Sequence, residues 1–149
     1  MSTYLITGTS KGIGLELTRQ LLALPASSSP PIKLIFTLTR SPPSSALQSL
    51  LSAHPDRTHH IQASVTSSSE IASAAKEVGD VLRERGLHGL DVVINNAGIQ
   101  APSANGKTDG FSAEEMGKVF ETNVLGPQRV IREFLPLLQE GEGRKVINV

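Results

Sequence analysis

The chain has 149 residues, enough for one domain with a real core and too few for two comfortable ones. Its 14 basic and 14 acidic residues cancel, so no net field draws it to nucleic acid or to an anionic membrane, and small-molecule chemistry is the expectation. It has no cysteine, which excludes disulfides and thiolate metal sites and suits a reducing compartment.

Strand-like Thr3-Tyr4-Leu5-Ile6-Thr7 follows Met1 almost at once, leaving no room for a secretory segment. No apolar run approaches the ~20 residues that span a bilayer. A soluble, cytoplasmic protein with neither nucleic acid nor membrane as partner is expected. Further along, short β-rich runs alternate with longer helical patterns, the signature of an α/β fold with a parallel sheet and helices on both faces. Strands are expected at 3–7, 32–38, 59–65, 90–95 and 145–149. Leu34-Ile35-Phe36 and Val92-Val93-Ile94 are continuous apolar runs, as strands covered on both sides require.

After the first strand, Leu17, Leu21 and Leu24 recur at helical spacing until Pro25. Pro25 to Pro31 and Ser41 to Ser45 read as exposed connections. Ser67 with Glu70 forms a candidate capping box ahead of the stripe Ile71, Ala74, Ala75, Val78 and Leu82. Ser112 with Glu115 repeats it before a long helix carrying Met116, Val119, Phe120, Val124, Ile131, Phe134, Leu135 and Leu138. The pairs Lys76-Glu77 and Arg83-Glu84-Arg85 read as a solvated helix side. His54, His59, His60 and His88 are scattered, and the adjacent pair lacks ligand spacing, so no metal site is expected.

The strongest signal is Thr7-Gly8-Thr9-Ser10-Lys11-Gly12-Ile13-Gly14, between the first strand and its helix. Glycine tolerates positive φ and lets a pyrophosphate approach the backbone. The following helix then offers free N–H groups and a positive dipole end. The competing reading, glycines used only to turn the chain, loses weight because an apolar strand precedes and an amphipathic helix follows.

On the long helix, Asn123 shares a stripe with Met116, Phe120 and Pro127, so it is expected to point inward. Pro127 has no N–H, so the Asn123 carbonyl loses its intrahelical partner, and a local distortion with a free acceptor is expected. A plain proline kink, with Asn123 satisfied by neighbouring backbone, stands beside that reading.

The spacing Thr-Gly-x-x-x-Gly-Ile-Gly resembles the opening motif of the short-chain dehydrogenases/reductases. Asn95-Asn96-Ala97-Gly98 matches the family's Asn-Asn-Ala-Gly, Asn123-Val124-Leu125-Gly126 its Asn-Val-x-Gly, and Lys145-Val146-Ile147-Asn148-Val149 its fifth strand. Within the family, the fungal ketoreductases and carbonyl reductases look most similar. The resemblance implies a Rossmann-type doubly wound sheet, here truncated after the fifth strand, so that 1–149 is one incomplete NAD(P)-binding domain. It implies hydride transfer between a nicotinamide and a small-molecule carbonyl or alcohol, with a homo-oligomer possible in the full-length protein. Asn96, Ala97 and Gly98 match the turn beside the adenosine ribose, and Asn123 the residue that holds a relay water. Asn95 and Asp91 are expected to tie strands together.

An NAD site needs a carboxylate after the second strand; this chain has Thr39-Arg40. A guanidinium suits the 2′-phosphate of NADP, and Lys11 matches a position where NADP-dependent members carry a basic residue. For either cation alone, plain solvated surface charge is the lesser alternative; together they favour NADP(H). Where the family has Asp-Val against the adenine, this chain has Ser64-Val65, a weaker contact. The family's catalytic Tyr has a Lys four residues later, whereas the only tyrosine here is Tyr4, followed by Gly8 at that distance. The family's Ser, Tyr and Lys are therefore expected beyond Val149. The alternative is a non-catalytic NADP(H)-binding or regulatory protein.

Overall fold

The long apolar runs become the middle of a parallel sheet. The computed structural model describes residues 2–25, 27, 31–101 and 112–149. Among them, β1 (Ser2–Thr7), β2 (Ile32–Thr39), β3 (Thr58–Gln62), β4 (Val92–Asn95) and β5 (Lys145–Asn148) pair in parallel in the order β3-β2-β1-β4-β5. The helices are α1 (Gly12–Ala23), α2 (Ser45–Ala53), α3 (Ser68–Glu84), α4 (Ala113–Phe120) and α5 (Gly126–Glu140). The chain runs outward from β1 to β3, then crosses back to β4. The crevice between β1 and β4 is thus the point where strand order reverses, where α/β sheets place ligands.

Strand alternation divides the core. Leu5, Leu34, Phe36, Leu38 and Val93 face α3 and α5, packing on Ile71, Val78, Leu82, Val130 and Phe134. Ile6, Ile35 and Ile94 face the other way, towards Leu22 of α1 and Leu50 of α2. Helices on both faces explain the continuous apolar runs Leu34-Ile35-Phe36 and Val92-Val93-Ile94.

The element ends differ from expectation at several points. β3 stops at Gln62, although the Ala63 amide still bonds the Thr39 carbonyl at 2.9 Å. β4 starts at Val92 because the Leu90 amide turns to the Leu137 carbonyl. α1 ends at Ala23, so Leu24 is 44 % exposed and Leu22 fills the core in its place. Both sides of the Ser112–Glu115 capping box form, but only half of the Ser67–Glu70 box does. Glu70 instead accepts from the Ser64 amide at 2.8 Å. Of the connection from Pro25 to Pro31, residues 26 and 28–30 lie outside the described residues.

The expected long helix is two α-helices joined by a π-helical stretch, Glu121–Leu125, in which the Gly126 amide reaches back to the Glu121 carbonyl. No helix among the described residues is long and apolar enough to cross a membrane.

Candidate functional site

The glycine turn leaves β1 beside β2, with the Gly8 amide on the Leu38 carbonyl at 2.8 Å. Gly8 (φ +72) and Gly12 (φ +59) adopt the left-handed conformation that favours glycine. At Gly14 the reason is space: a Cβ there would lie 2.4 Å from both the Gly8 carbonyl oxygen and Asn96 Nδ2.

Asn96 and Thr7 stitch the turn to the end of β4. Asn96 Nδ2 donates to the carbonyls of Thr7 and Gly8 at 3.0 and 3.1 Å. In return, Thr7 Oγ1 accepts from the amides of Asn96 and Ala97 at 3.1 and 3.0 Å. Ser44 secures the other flank. It caps α2 by accepting from the Leu47 amide and donates to the Ser10 carbonyl at 2.6 Å. Thr7 stands at the head of the glycine motif, whereas Ser44 reads in the sequence only as part of an exposed connection; its place just before the apolar pattern of α2 is the signal that could have found it.

Ser44, Ser67 and Ser112 cap α2, α3 and α4. At α1 the capping position is Lys11, which makes no side-chain cap hydrogen bond, and the first turn has no acidic residue. Its leading N–H groups and positive dipole end are left for another acceptor. Nearby, Thr9 is fully buried with no hydrogen-bond partner for its hydroxyl. Lys11, Ile13 and Arg40 stand exposed around this turn.

The π stretch is joined to the loop after β4. Asn123 Oδ1 accepts from the Ile99 amide, and its Nδ2 donates to the Ile99 carbonyl, both at 2.8 Å. A Cβ on Gly98 would lie 3.4 Å from Asn123 Oδ1. The expectation that Asn123 points into the core is corrected: the residue is exposed and α4 buries no side chain. Met116, Phe120 and Val124 are 59, 53 and 49 % exposed, because among the described residues nothing covers that stripe. Apolar periodicity reveals a face but not whether something packs on it.

Asn123 also lines a cavity of about 330 Å³ with Asn95, Ala97, Gly98, Val124, Pro127, Asn148 and Val149. Asn95 donates to Asn148 Oδ1 at 3.0 Å across the strand ends, while its own buried Oδ1 has no partner. The buried Asp91 accepts from the amides of Thr3, Glu142 and Gly143 at 2.8, 2.9 and 2.8 Å. Asn95 and Asp91 thus tie strands together, as expected.

At the end of β3, Ser64 Oγ lies 2.8 Å from Thr66 Oγ1, and Val65 is buried against the spot a Cβ on Gly126 would fill, 3.0 Å from its Cγ2. Tyr4 packs beside the cluster under α1, and burial pushes its hydroxyl pKa up. The candidate residues therefore gather at the carboxyl ends of β1, β2, β3 and β4.

The sequence pattern of the short chain dehydrogenase family matches residues 2–149. The chain belongs to the short-chain dehydrogenases. A short-chain dehydrogenase/reductase of Arthrinium sp, atnB, is 35 % identical over 100 % of this chain and 54 % of its own length. An NADPH-bound carbonyl reductase from chicken fatty liver is 34 % identical with a TM-score of 0.80, over 94 % of this chain and 52 % of that one. The carbonyl reductase Sniffer of D. melanogaster is 28 % identical with a TM-score of 0.82, over 99 % and 60 %. The chain spans about half the length of the curated short-chain dehydrogenases it matches.

Proposed function

We propose that residues 1–149 form the dinucleotide-binding domain of an NADP-dependent short-chain dehydrogenase/reductase acting on a small-molecule carbonyl or alcohol. The observation that carries this reading is the α1 N-terminus, free of any side-chain cap and facing a glycine turn pinned by Asn96, Thr7 and Ser44. Amides from Gly8 to Gly14 would hold the pyrophosphate, with the unpartnered Thr9 hydroxyl beside them. Asn96, Ala97 and Gly98 would border the adenosine ribose, and Ser64 and Val65 the adenine. Bound there, the dinucleotide supplies or accepts the hydride.

Arg40 and Lys11 would meet the 2′-phosphate, since the segment after β2 offers a guanidinium and no carboxylate. Asn123 spends its side chain on Ile99, so what it would offer a relay water is its main-chain carbonyl, to which Pro127 gives no N–H. The sequence contains no Tyr-x-x-x-Lys, so carbonyl reduction is a property to test in the full-length protein.

The decisive experiment is equilibrium binding of NADPH and NADH to the full-length protein and to Arg40→Ala. The variant should lose roughly tenfold or more in NADPH affinity with little change for NADH; equal losses would refute the NADP assignment. NADPH binding without reduction of any carbonyl in a broad panel would favour a non-catalytic, regulatory protein.

A further inference from the structure

We propose that His60 is a positioning residue for recognition of the 2′-phosphate: acting through Thr39, it fixes the main chain that carries Arg40. The proposal rests on the NADP reading above. Parallel register sets His60 beside Thr37 on the sheet face covered by α1 and α2. Its Nδ1 lies 3.2 Å from Thr37 Oγ1, and its Nε2 3.3 Å from Thr39 Oγ1.

The hydroxyl hydrogens settle the tautomer. Thr39 has a single hydroxyl hydrogen and donates it to the Ser41 carbonyl at 2.6 Å. Only lone pairs are left to face the ring, so His60 Nε2 carries the proton and donates, while Nδ1 accepts from Thr37. A neutral ring is what this environment favours. Burial, the largest influence, lowers the His60 pKa; a hydrogen bond to the Thr37 main chain opposes it, and the more distant His59 and Glu77 add smaller influences of opposite sign. α2 brings no charged side chain to this face, and His59 faces the other side, paired with Glu77 of α3 at 2.7 Å.

The contacts run from the ring to the Thr39 hydroxyl to the Ser41 carbonyl, with Arg40 between the two held residues. Gln62 adds a second tie, its Nε2 donating to the Arg40 carbonyl at 3.4 Å. The Arg40 side chain itself is exposed. A guanidinium that must meet a phosphate through two parallel bonds gains from a fixed base, whereas a point contact elsewhere on the dinucleotide does not depend on it.

The test uses the full-length protein with His60→Leu, His60→Gln and Thr39→Val. Dissociation constants are measured for NADPH, for NADH and for 2′,5′-ADP, which bears the phosphate but no nicotinamide. His60→Leu and Thr39→Val should each weaken NADPH and 2′,5′-ADP roughly tenfold and leave NADH within about twofold. His60→Gln, whose amide can still donate to Thr39, should recover most of the loss. The Leu/Val double variant should be no worse than either single one. Thr39→Val is nearly isosteric and keeps the test open if leucine at 60 prevents folding. Equal losses for NADPH and NADH, no rescue by glutamine, or additive losses overturn the proposal and leave the cofactor reading intact. A wild-type protein that binds NADH as tightly as NADPH removes the cofactor reading, and this proposal with it.

Discussion

Gly14 and His60 show how much can depend on one side chain, the first by lacking it. Gly14→Ala would drive a methyl into the Gly8 carbonyl and the Asn96 amide, both 2.4 Å from the new atom. The expected cost is about 1–3 kcal/mol of stability, with weaker dinucleotide binding because the turn must open. Urea unfolding beside an NADPH titration checks both, and a variant normal in each would show that the close approach is dispensable. His60 acts as a neutral ring, so its contribution depends on pH. In the unfolded chain it titrates near the ordinary value of 6.5, whereas burial lowers its pKa in the fold. Across that interval the unfolded chain holds more protons. The neutral ring's contribution is therefore complete above 6.5 and declines as pH falls through and below that value. Melting temperatures of wild type and His60→Gln should move apart across this range, the wild type falling more steeply on acidification. Parallel curves would mean that other groups set the acid sensitivity.

At the scale of elements, the continuous helix from α4 through the π stretch to α5 divides into a bare half and a buried half. Phe120 is 53 % exposed and Phe134 is 0 % exposed, although both belong to one apolar pattern. Phe120→Gln should therefore change stability by less than ~0.5 kcal/mol, whereas Phe134→Ala should cost about 3–5 kcal/mol. Thermal and denaturant unfolding of the two variants provide the comparison. The same helix shows what a sequence can and cannot disclose. Pro127 foretold a distortion near Asn123 because a missing N–H is a property of one residue, written in the chain itself. The embrace of Ile99 by Asn123 was not legible, since it depends on where a loop 24 residues away returns. Likewise the glycine spacing and the strand runs were readable as local conformational demands. The diversion of Glu70 to Ser64 was not, because the spacing marks the Ser67 amide as donor to that carboxylate and does not show that the Ser64 amide, six residues away, turns towards it instead. Ser44, which reads only as part of an exposed connection, belongs with the second kind, since its bond to Ser10 spans 34 residues.

At the largest scale, every strand among the described residues pairs in parallel, so neighbours in the sheet are distant along the chain. Asp91 gathers the most distant of these parts, holding Thr3 from one end and Glu142 and Gly143 from the other. Asp91→Asn keeps the shape but turns an amide N–H₂ towards main-chain N–H groups, of Thr3 on one side or of Glu142 and Gly143 on the other, an expected loss of about 2–3 kcal/mol. The loss should also be distributed unevenly in time. Contacts spanning 88, 51 and 52 residues can close only after the intervening loops have been ordered. The carboxylate clasp should thus form late on the folding route, after the barrier is crossed. Stopped-flow measurements on Asp91→Asn should then find unfolding accelerated and refolding nearly unchanged. In that event the clasp works as a kinetic latch: it lengthens the lifetime of the folded chain and leaves the speed of its assembly to the inner strands.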